Sequence, residues 1–501
     1  MQSPHAPLLV TALLAASLTA SAASADREST LRLPESVRQG NASYVEEVPQ
    51  SDYRHASAAA HQEFRNMKYG VRIHWGLYSL LPHARESWTF LEQSDEERQK
   101  WLESHQHWNP TKFDANGWME FFQRAGFQCF AITTKHHEGF SLWDTKTRVK
   151  QRPNFSIPGK PFIEDCDVAY SVMETPFKRD IIRELTDAGR RHGLKINLYF
   201  SHSDWYDVSF RPYGRHPIQN VSSKSVKSLE ERQKRPAVLF PDPTPDEITH
   251  MMARHREQLH ELLTQYGKID MLCLDIQLGG EVWPQLRETI KLVRQWQPDV
   301  MIRNRGIGNY GDYYTPERTV PSEQATGLPW MVIYPLGRNF SWEGDAAQHK
   351  GAKWVVDNLV DSVAKGGNFM VGIGPNGAGE FHPEAIRQLE EVGAWLKVNG
   401  EAIWDTDIRR GDLWKEGEHV RFTTSRDGRH VYAILLRKPD SASFQLTSVA
   451  AKPGSKITLF GRAEPLEWRN EKGVLTLELP ALDDALAHVL RIETQSQSPS
   501  E

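Results

Sequence analysis

One stretch constrains the fold more than any other. Cys129-Phe130-Ala131-Ile132-Thr133-Thr134 is an apolar run that passes directly into Lys135-His136-His137-Glu138-Gly139-Phe140. A short apolar run bounded by polar residues reads as a buried strand. In parallel α/β proteins chemistry gathers at the carboxyl ends of the strands. Adjacent histidines there serve as hydrogen-bonding groups to a sugar, metal ligands or acid–base groups. The texture recurs along the chain. Residues 68–78 form a strand ending in His74-Trp75-Gly76, and residues 194–201 run into His202-Ser203-Asp204-Trp205. Residues 269–275 are apolar and end on Asp275, and residues 300–302 lead to Arg303-Asn304-Arg305.

Helical patterns separate these strands. Residues 114–125 open on Asp114, a good N-cap, place Trp118, Phe121, Phe122 and Ala125 on one face, and stop at Gly126. Residues 179–192, 246–266, 282–297, 353–364 and 383–399 read as further helices, and 366–375 as a strand and turn. Strand–helix alternation with polar strand ends predicts an α/β fold, an irregular (β/α)8-like TIM barrel. It is irregular because eight clean pairs cannot be counted. Residues 53–66 read as a helical lead-in, 82–107 as an excursion, 148–171 as loop, 207–245 as a charged, proline-bearing insertion, and 321–341 as loop. Beyond Thr406 short strands recur at turn-broken spacing (420–424, 430–437, 443–446, 456–460, 473–479 and 487–492), which predicts an antiparallel β-sandwich. The expected division is a signal peptide over 1–25, a catalytic domain over 26–406, a sandwich over 407–493 and a polar tail over 494–501.

Composition narrows the function. A net charge of −5 over 501 residues offers nothing to nucleic acid or an acidic membrane surface. Residues 8–16 are a short apolar segment followed by Ala20-Ser21-Ala22 and Ala23-Ser24-Ala25, two small-x-small cleavage patterns. The segment before them lacks Lys and Arg. The pattern predicts export, to a bacterial periplasm or the medium, and no later run is long enough to span a membrane. Cys129, Cys166 and Cys273 form no paired framework and no Cys-x-x-Cys, so neither a structural metal nor a cofactor is expected.

A barrel would bring His74 with Trp75, His136 with His137, His202 with Trp205, Asp275 and Arg305 to one mouth, with Glu317 on a following loop. Asp275 closes an apolar run, so its carboxylate is partly desolvated; it reads as a nucleophile or as the cap of a nearby turn. Glu317 reads as a catalytic acid or a solvated loop carboxylate. Two carboxylates among neutral donors and aromatic rings suit glycoside hydrolysis. A metal hydrolase built on His136 and His137 is a rival, but adjacent strand residues point to opposite faces. A non-catalytic sugar-binding protein is another, though binding alone needs no pair of carboxylates.

At these blocks the sequence resembles family 29 glycoside hydrolases, the α-L-fucosidases. The matching stretches are KYGVRIHWGLY (68–78), TTKHHEGFSLWD (133–144), GLKINLYFSHSDWY (193–206), IDMLCLD (269–275), GDYYTPE (311–317), KGGNFMVGIGP (365–375) and GAWLKVNGEAIWDT (393–406). The resemblance implies a retaining exo-enzyme acting on fucosylated oligosaccharides or glycoconjugates. Asp275 falls at the family's nucleophile. His74, His136 and His137 would bind fucose hydroxyls, and Arg305 would contact substrate. Tyr199 or His202 would approach the nucleophile or the sugar. Glu317 matches the acid/base of one subgroup, with Glu323 and Glu343 as alternatives, because Trp330 is followed by Met331 where other members carry Trp-Glu. The chain has Cys273-Leu274-Asp275-Ile276 where members typically carry Trp-Phe-Asp-Gly. That departure leaves room for another glycone, such as an α-L-galactoside.

Overall fold

The computed structural model describes residues 44–494 except 212, 219–239, 241, 242 and 326. The expected signal peptide, the tail beyond Thr494 and most of the insertion lie outside the described residues. The first domain opens with helix α1 (Ala58–Asn66) and strand β1 (Tyr69–Ile73). Helices α2 and α3 (Trp88–Glu92 and Asp95–Glu103) follow, then α4 (Ala115–Arg124) and β2 (Cys129–Lys135). A hairpin of β3 (Val149–Asn154) and β4 (Phe162–Val168) precedes α5 (Ile181–Arg191) and β5 (Lys195–Ser201). The order continues with α6 (Pro245–Thr264), β6 (Met271–Asp275), α7 (Trp283–Trp296), β7 (Met301–Ile302) and β8 (Met331–Pro335). It ends with α8 (Ala352–Ala364), β9 (Asn368–Ile373) and α9 (Pro383–Asn399).

Seven strands form one parallel sheet in the order β7-β6-β5-β2-β1-β9-β8. Its two edges are joined by an irregular segment. Arg303 pairs with Tyr313, Tyr314 with Trp330, and Glu317 with Ile333, all in the parallel sense. The N–H of Asn304 donates to Tyr313 O at 2.9 Å, and that of Ile333 to Pro316 O at 3.0 Å. Residues 313–317 are thus the missing stave, and the sheet closes into a barrel. Pro316 lacks an N–H, which keeps the stave from being a regular strand.

Side-chain alternation separates two layers. Cys129, Ala131, Met271, Met301, Met331 and Met370 pack together inside the barrel, while Phe130, Ile132, Leu198 and Leu272 join the larger core against the helices. The interior has no spare room at Gly70, where an added Cβ would lie 2.4 Å from Cys129 Sγ. Helix starts follow their caps: Asp114 accepts from Asn116 N–H, Asp180 from Arg183 N–H, and Thr244 with Glu247 forms a capping box ahead of Pro245.

Two regions depart from the sequence expectation. The β3–β4 hairpin was expected as loop. Its strands are polar and carry charge across the ladder, Lys150 to Asp167 at 2.7 Å and Arg152 to Glu164 at 2.7 Å, so no apolar alternation marks them. Strand β8, inside the expected loop 321–341, is a short buried run ending on Pro335, too brief to show a period.

The second domain is a sandwich of two antiparallel sheets. One contains β10 (Thr406–Ile408), β12 (Val420–Ser425), β13 (His430–Leu435), β19 (His488–Glu493), β15 (Ile457–Leu459) and β16 (Pro465–Leu466) in that order, with β11 (Lys415–Glu416) on β12. The other is β14 (Ser443–Leu446), β18 (Val474–Glu478) and β17 (Trp468–Glu471). Between them lies an apolar core of Phe422, Leu446, Ile457, Leu475 and Leu490. It docks on α8 and α9 through Arg421 to Asp361 at 2.6 Å and Trp395 Nε1 to Ala487 O at 2.8 Å.

The irregular stave is anchored at its base by Asp312. This fully buried carboxylate accepts from Ala56 N–H at 3.1 Å, Ile302 N–H at 2.7 Å and the Arg294 guanidinium. Asp312→Ala strands Arg294 as an uncompensated buried charge and should cost about 3–5 kcal/mol. Urea unfolding of the variant checks this; a loss below ~1 kcal/mol would mean the stave holds without its anchor.

Candidate active site

A cavity of about 270 Å³ opens at the carboxyl end of the barrel, and Asp275 stands in its wall. The Tyr199 hydroxyl donates to Asp275 Oδ2 at 2.6 Å. Arg305 Nη1 donates to Oδ1 at 2.8 Å, Ile276 N–H to Oδ1 at 2.9 Å, and Arg303 Nη1 lies 3.5 Å away. Burial alone would raise the pKa of this carboxyl. The Arg305 and Arg303 charges and the Tyr199 bond outweigh it and hold Asp275 well below the ordinary range. Asp275 is therefore a largely desolvated but ionised carboxylate.

Arg305 also donates through Nη2 to Glu317 Oε2 at 3.0 Å, so one guanidinium bridges both carboxylates. Glu317 is the more open of the two, with a side chain 39% exposed against 14% for Asp275. Burial raises the Glu317 pKa and the Arg305 and Arg303 charges lower it, for a net lowering. The Asp275 charge acts on it in the raising direction.

The histidines His74, His136 and His137 line the same cavity. Burial pushes the pKa of His74 and His136 well below the ordinary value and that of His137 to about 4, so all three are neutral near pH 7. His137 Nδ1 is bonded to Ser201 Oγ at 2.6 Å, and His136 Nδ1 to Ser87 Oγ at 2.5 Å. Their rings lie 4.1 Å apart between centroids. Both reach one cavity, where adjacent strand residues would diverge. Strand β2 ends at Lys135 with a register shift between Thr133 and Lys135, and the chain has left strand geometry before His136.

Not every residue singled out in the sequence reaches the cavity. Trp75 packs among Trp108, Phe113 and Trp118 in the outer layer. His202 bonds His255 at 3.0 Å, and its main-chain N–H donates to Asp275 O. Trp205 sits behind Trp88, with centroids 5.6 Å apart. Tyr199 meets Asp275 through its hydroxyl, while its ring lies beneath the Arg72 guanidinium at 4.8 Å. Glu323 is exposed beside Lys415, and Glu343 is bound to Arg338 at 2.9 Å; neither lines the cavity.

The structure adds residues that sequence reasoning missed. Arg72, Glu86, Trp88 and Phe340 line the cavity. Glu86 accepts from Phe340 N–H at 2.6 Å and Ser341 N–H at 3.0 Å, tying the segment after β1 to the one after β8. Burial lifts its pKa to about 7 against those bonds. A charged residue inside the apolar strand Tyr69–Ile73 is the signal that marks Arg72. Position after a barrel strand marks Glu86 and Trp88.

The sequence model of the family described as Alpha-L-fucosidase matches residues 35–401, and that of the Alpha-L-fucosidase C-terminal domain matches residues 415–493. The chain belongs to the α-L-fucosidase family. Human plasma alpha-L-fucosidase is 26% identical over 450 residues, covering 84% of this chain and 85% of that protein. Alpha-L-fucosidase isoenzyme 1 of Paenibacillus thiaminolyticus superimposes with a TM-score of 0.70 at 27% identity, covering 87% of this chain and 99% of its own. A Bacteroides thetaiotaomicron GH29 alpha-L-fucosidase, solved as a trapped covalent intermediate with 2-fluoro-fucosyl fluoride, shares the fold with a TM-score of 0.67 at 23% identity, covering 90% of this chain and 98% of that one.

Arg305→Gln removes the charge that lowers both carboxyls, so both pKa values should rise. In a carboxyl ¹³C NMR titration, Asp275 of the wild type should remain ionised well below ~3.9, and in the variant it should titrate at higher pH. An unchanged Asp275 titration would assign its ionisation to Arg303 and Tyr199 alone.

Proposed function

We propose that the protein is a retaining α-L-fucosidase in which Asp275 is the nucleophile and Glu317 the acid/base. The observation that carries this reading is the Arg305 bridge: one guanidinium bonds both carboxylates across the cavity. Such a bridge favours the short separation of a retaining pair, ~5–5.5 Å, over the ~6.5–9.5 Å of an inverting one. Family membership supports the glycone, and the trapped intermediate of the Bacteroides relative supports a covalent route.

The electrostatics favour the second half-reaction, and the Asp275 charge moderates them in the first. In the resting site Arg305 and Arg303 lower the Glu317 pKa on balance, and the Asp275 charge acts against them, towards the proton that Glu317 must give to the leaving oxygen. Asp275 then attacks the anomeric carbon and becomes a neutral ester. That opposing charge is gone, and Arg305 faces Glu317 alone. Glu317 is now driven towards its carboxylate, the form that takes a proton from water. The neutral His74, His136 and His137 would bond sugar hydroxyls with no charge to desolvate. The Tyr199 hydroxyl fixes the orientation of the nucleophile. The leader-like residues 1–25 support export of the enzyme to a periplasm or the medium, which N-terminal sequencing of exported protein tests.

Asp275→Ala should abolish turnover of an aryl α-L-fucoside without loss of fold; near-normal rates would remove Asp275 from the nucleophile role. Glu317→Ala should slow substrates with poor leaving groups by ~10²–10⁴-fold, spare activated aryl fucosides, and recover with azide. If Glu323→Ala or Glu343→Ala shows that pattern instead, Glu317 is not the acid/base.

A further inference from the structure

The cavity holds more positive charge than a neutral sugar calls for. Five arginines line it (Arg72, Arg85, Arg215, Arg303 and Arg305) against three carboxyls, Glu86, Asp275 and Glu317. Arg305 is matched to Asp275 and Glu317, and the Glu86 carboxyl is occupied by the N–H groups of Phe340 and Ser341. Among the described residues Arg72 has no carboxylate partner, and Arg303 has only a longer contact to a carboxylate that Arg305 already holds. Both are almost fully buried, 3% and 1% exposed. Each places Nη1 3.4 Å from Cys273 Sγ, a weak acceptor. Arg72 Nε and Arg303 Nε and Nη2 are buried with no hydrogen-bond partner among the described residues, as is the neighbouring His74 Nδ1. Arg303 shares the Asp275 carboxylate only at 3.5 Å.

A buried guanidinium with open donors is costly unless an anion completes it. Here the two guanidinium groups, both lining the cavity, converge on one sulfur. Planar guanidinium forks match the oxygens of a carboxylate or sulfate, and they are strongest when water is excluded. We propose that the glycone taken by this cavity carries an anionic substituent, a carboxylate or a sulfate ester, held by Arg72 and Arg303. This rests on the reading of the site as a retaining glycosidase and specifies its substrate class.

The test is a comparison of kcat/KM for the full chain on three kinds of aryl glycoside. One is the neutral α-L-fucoside. The second is the α-L-galactosiduronate, with a carboxylate in place of the methyl group. The third is the set of α-L-fucosides sulfated singly at each ring hydroxyl. At least one anionic substrate should exceed the neutral one by tenfold or more, and which one does so separates carboxylate from sulfate. Arg72→Met should cut that preference at least tenfold; Arg303→Met should do the same and serves if Arg72→Met does not fold. Inorganic sulfate should inhibit fucoside hydrolysis competitively in the wild type and more weakly in Arg72→Met. If the neutral fucoside is cleaved as well as or better than every anionic substrate, the inference is overturned while the fucosidase reading stands. If no substrate is cleaved and a 2-fluoro fucoside leaves Asp275 unlabelled, both readings fall.

Discussion

The site depends on one guanidinium. Arg305 lies between Asp275 and Glu317 and bonds each of them, so it sets both the spacing and the ionisation of the pair. Two carboxylates facing one cavity repel each other, which raises the pKa of one of them unless a cation lies between them. Arg305 is reached by the shortest strand of the barrel, β7, and the chain turns at once through Gly306 at φ +79°. An added Cβ there would lie 2.7 Å from Ile276 O, so only glycine lets the turn pack against the end of β6. Backbone geometry and charge placement are thereby one constraint: the turn that frees Arg305 from its strand also seats it over Asp275.

The stave that carries Glu317 shows how the barrel accommodates this. Residues 313–317 pair by single bridges on both sides, with β7 at Tyr313 and with β8 at Glu317. Asp312 pins the base of the stave to Arg294 and to Ile302 at the end of β7, and Arg305 holds its top. A regular strand would bury alternate side chains in the barrel and its outer layer. An interrupted stave instead leaves Glu317 39% exposed at the rim, within reach of solvent. Irregularity in the barrel is concentrated where Glu317 stands.

Much of the architecture was legible in the sequence because two signals coincided there. The apolar runs of β1, β2, β5, β6 and β9 end in polar clusters, and capped amphipathic helices separate them. Asp275, Arg305, Glu317, His74, His136 and His137 come together as strand ends of one barrel must. The pattern failed where only one signal was present. Strand β8 is too short to show a period, and the β3–β4 hairpin is held by cross-strand ion pairs without an apolar face. Trp75 and Trp205 were grouped with the histidines beside them in sequence. Trp75 immediately follows His74, and alternation sends the histidine into the cavity and the tryptophan into the outer aromatic layer. Tyr199 and Phe200 divide in the same way, the hydroxyl to Asp275 and the ring of Phe200 to His255 and the layer outside the barrel.

Arg72 is the instructive omission. In the sequence it is one charge within an apolar strand, and a snorkelling side chain would explain it. The structure removes that explanation, because β1 is an inner strand paired on both sides, every residue of the strand is buried, and Arg72 shares its interior level with Cys273 and Arg303. A neutral residue at either arginine position would fill the space with less desolvation. The same cavity wall carries three histidines kept neutral by burial and two arginines that cannot be neutralised at any ordinary pH. Neutral donors suit hydroxyls and fixed cations suit oxyanions. The division of the wall into these two kinds of group matches a ligand that presents both hydroxyls and an oxyanion.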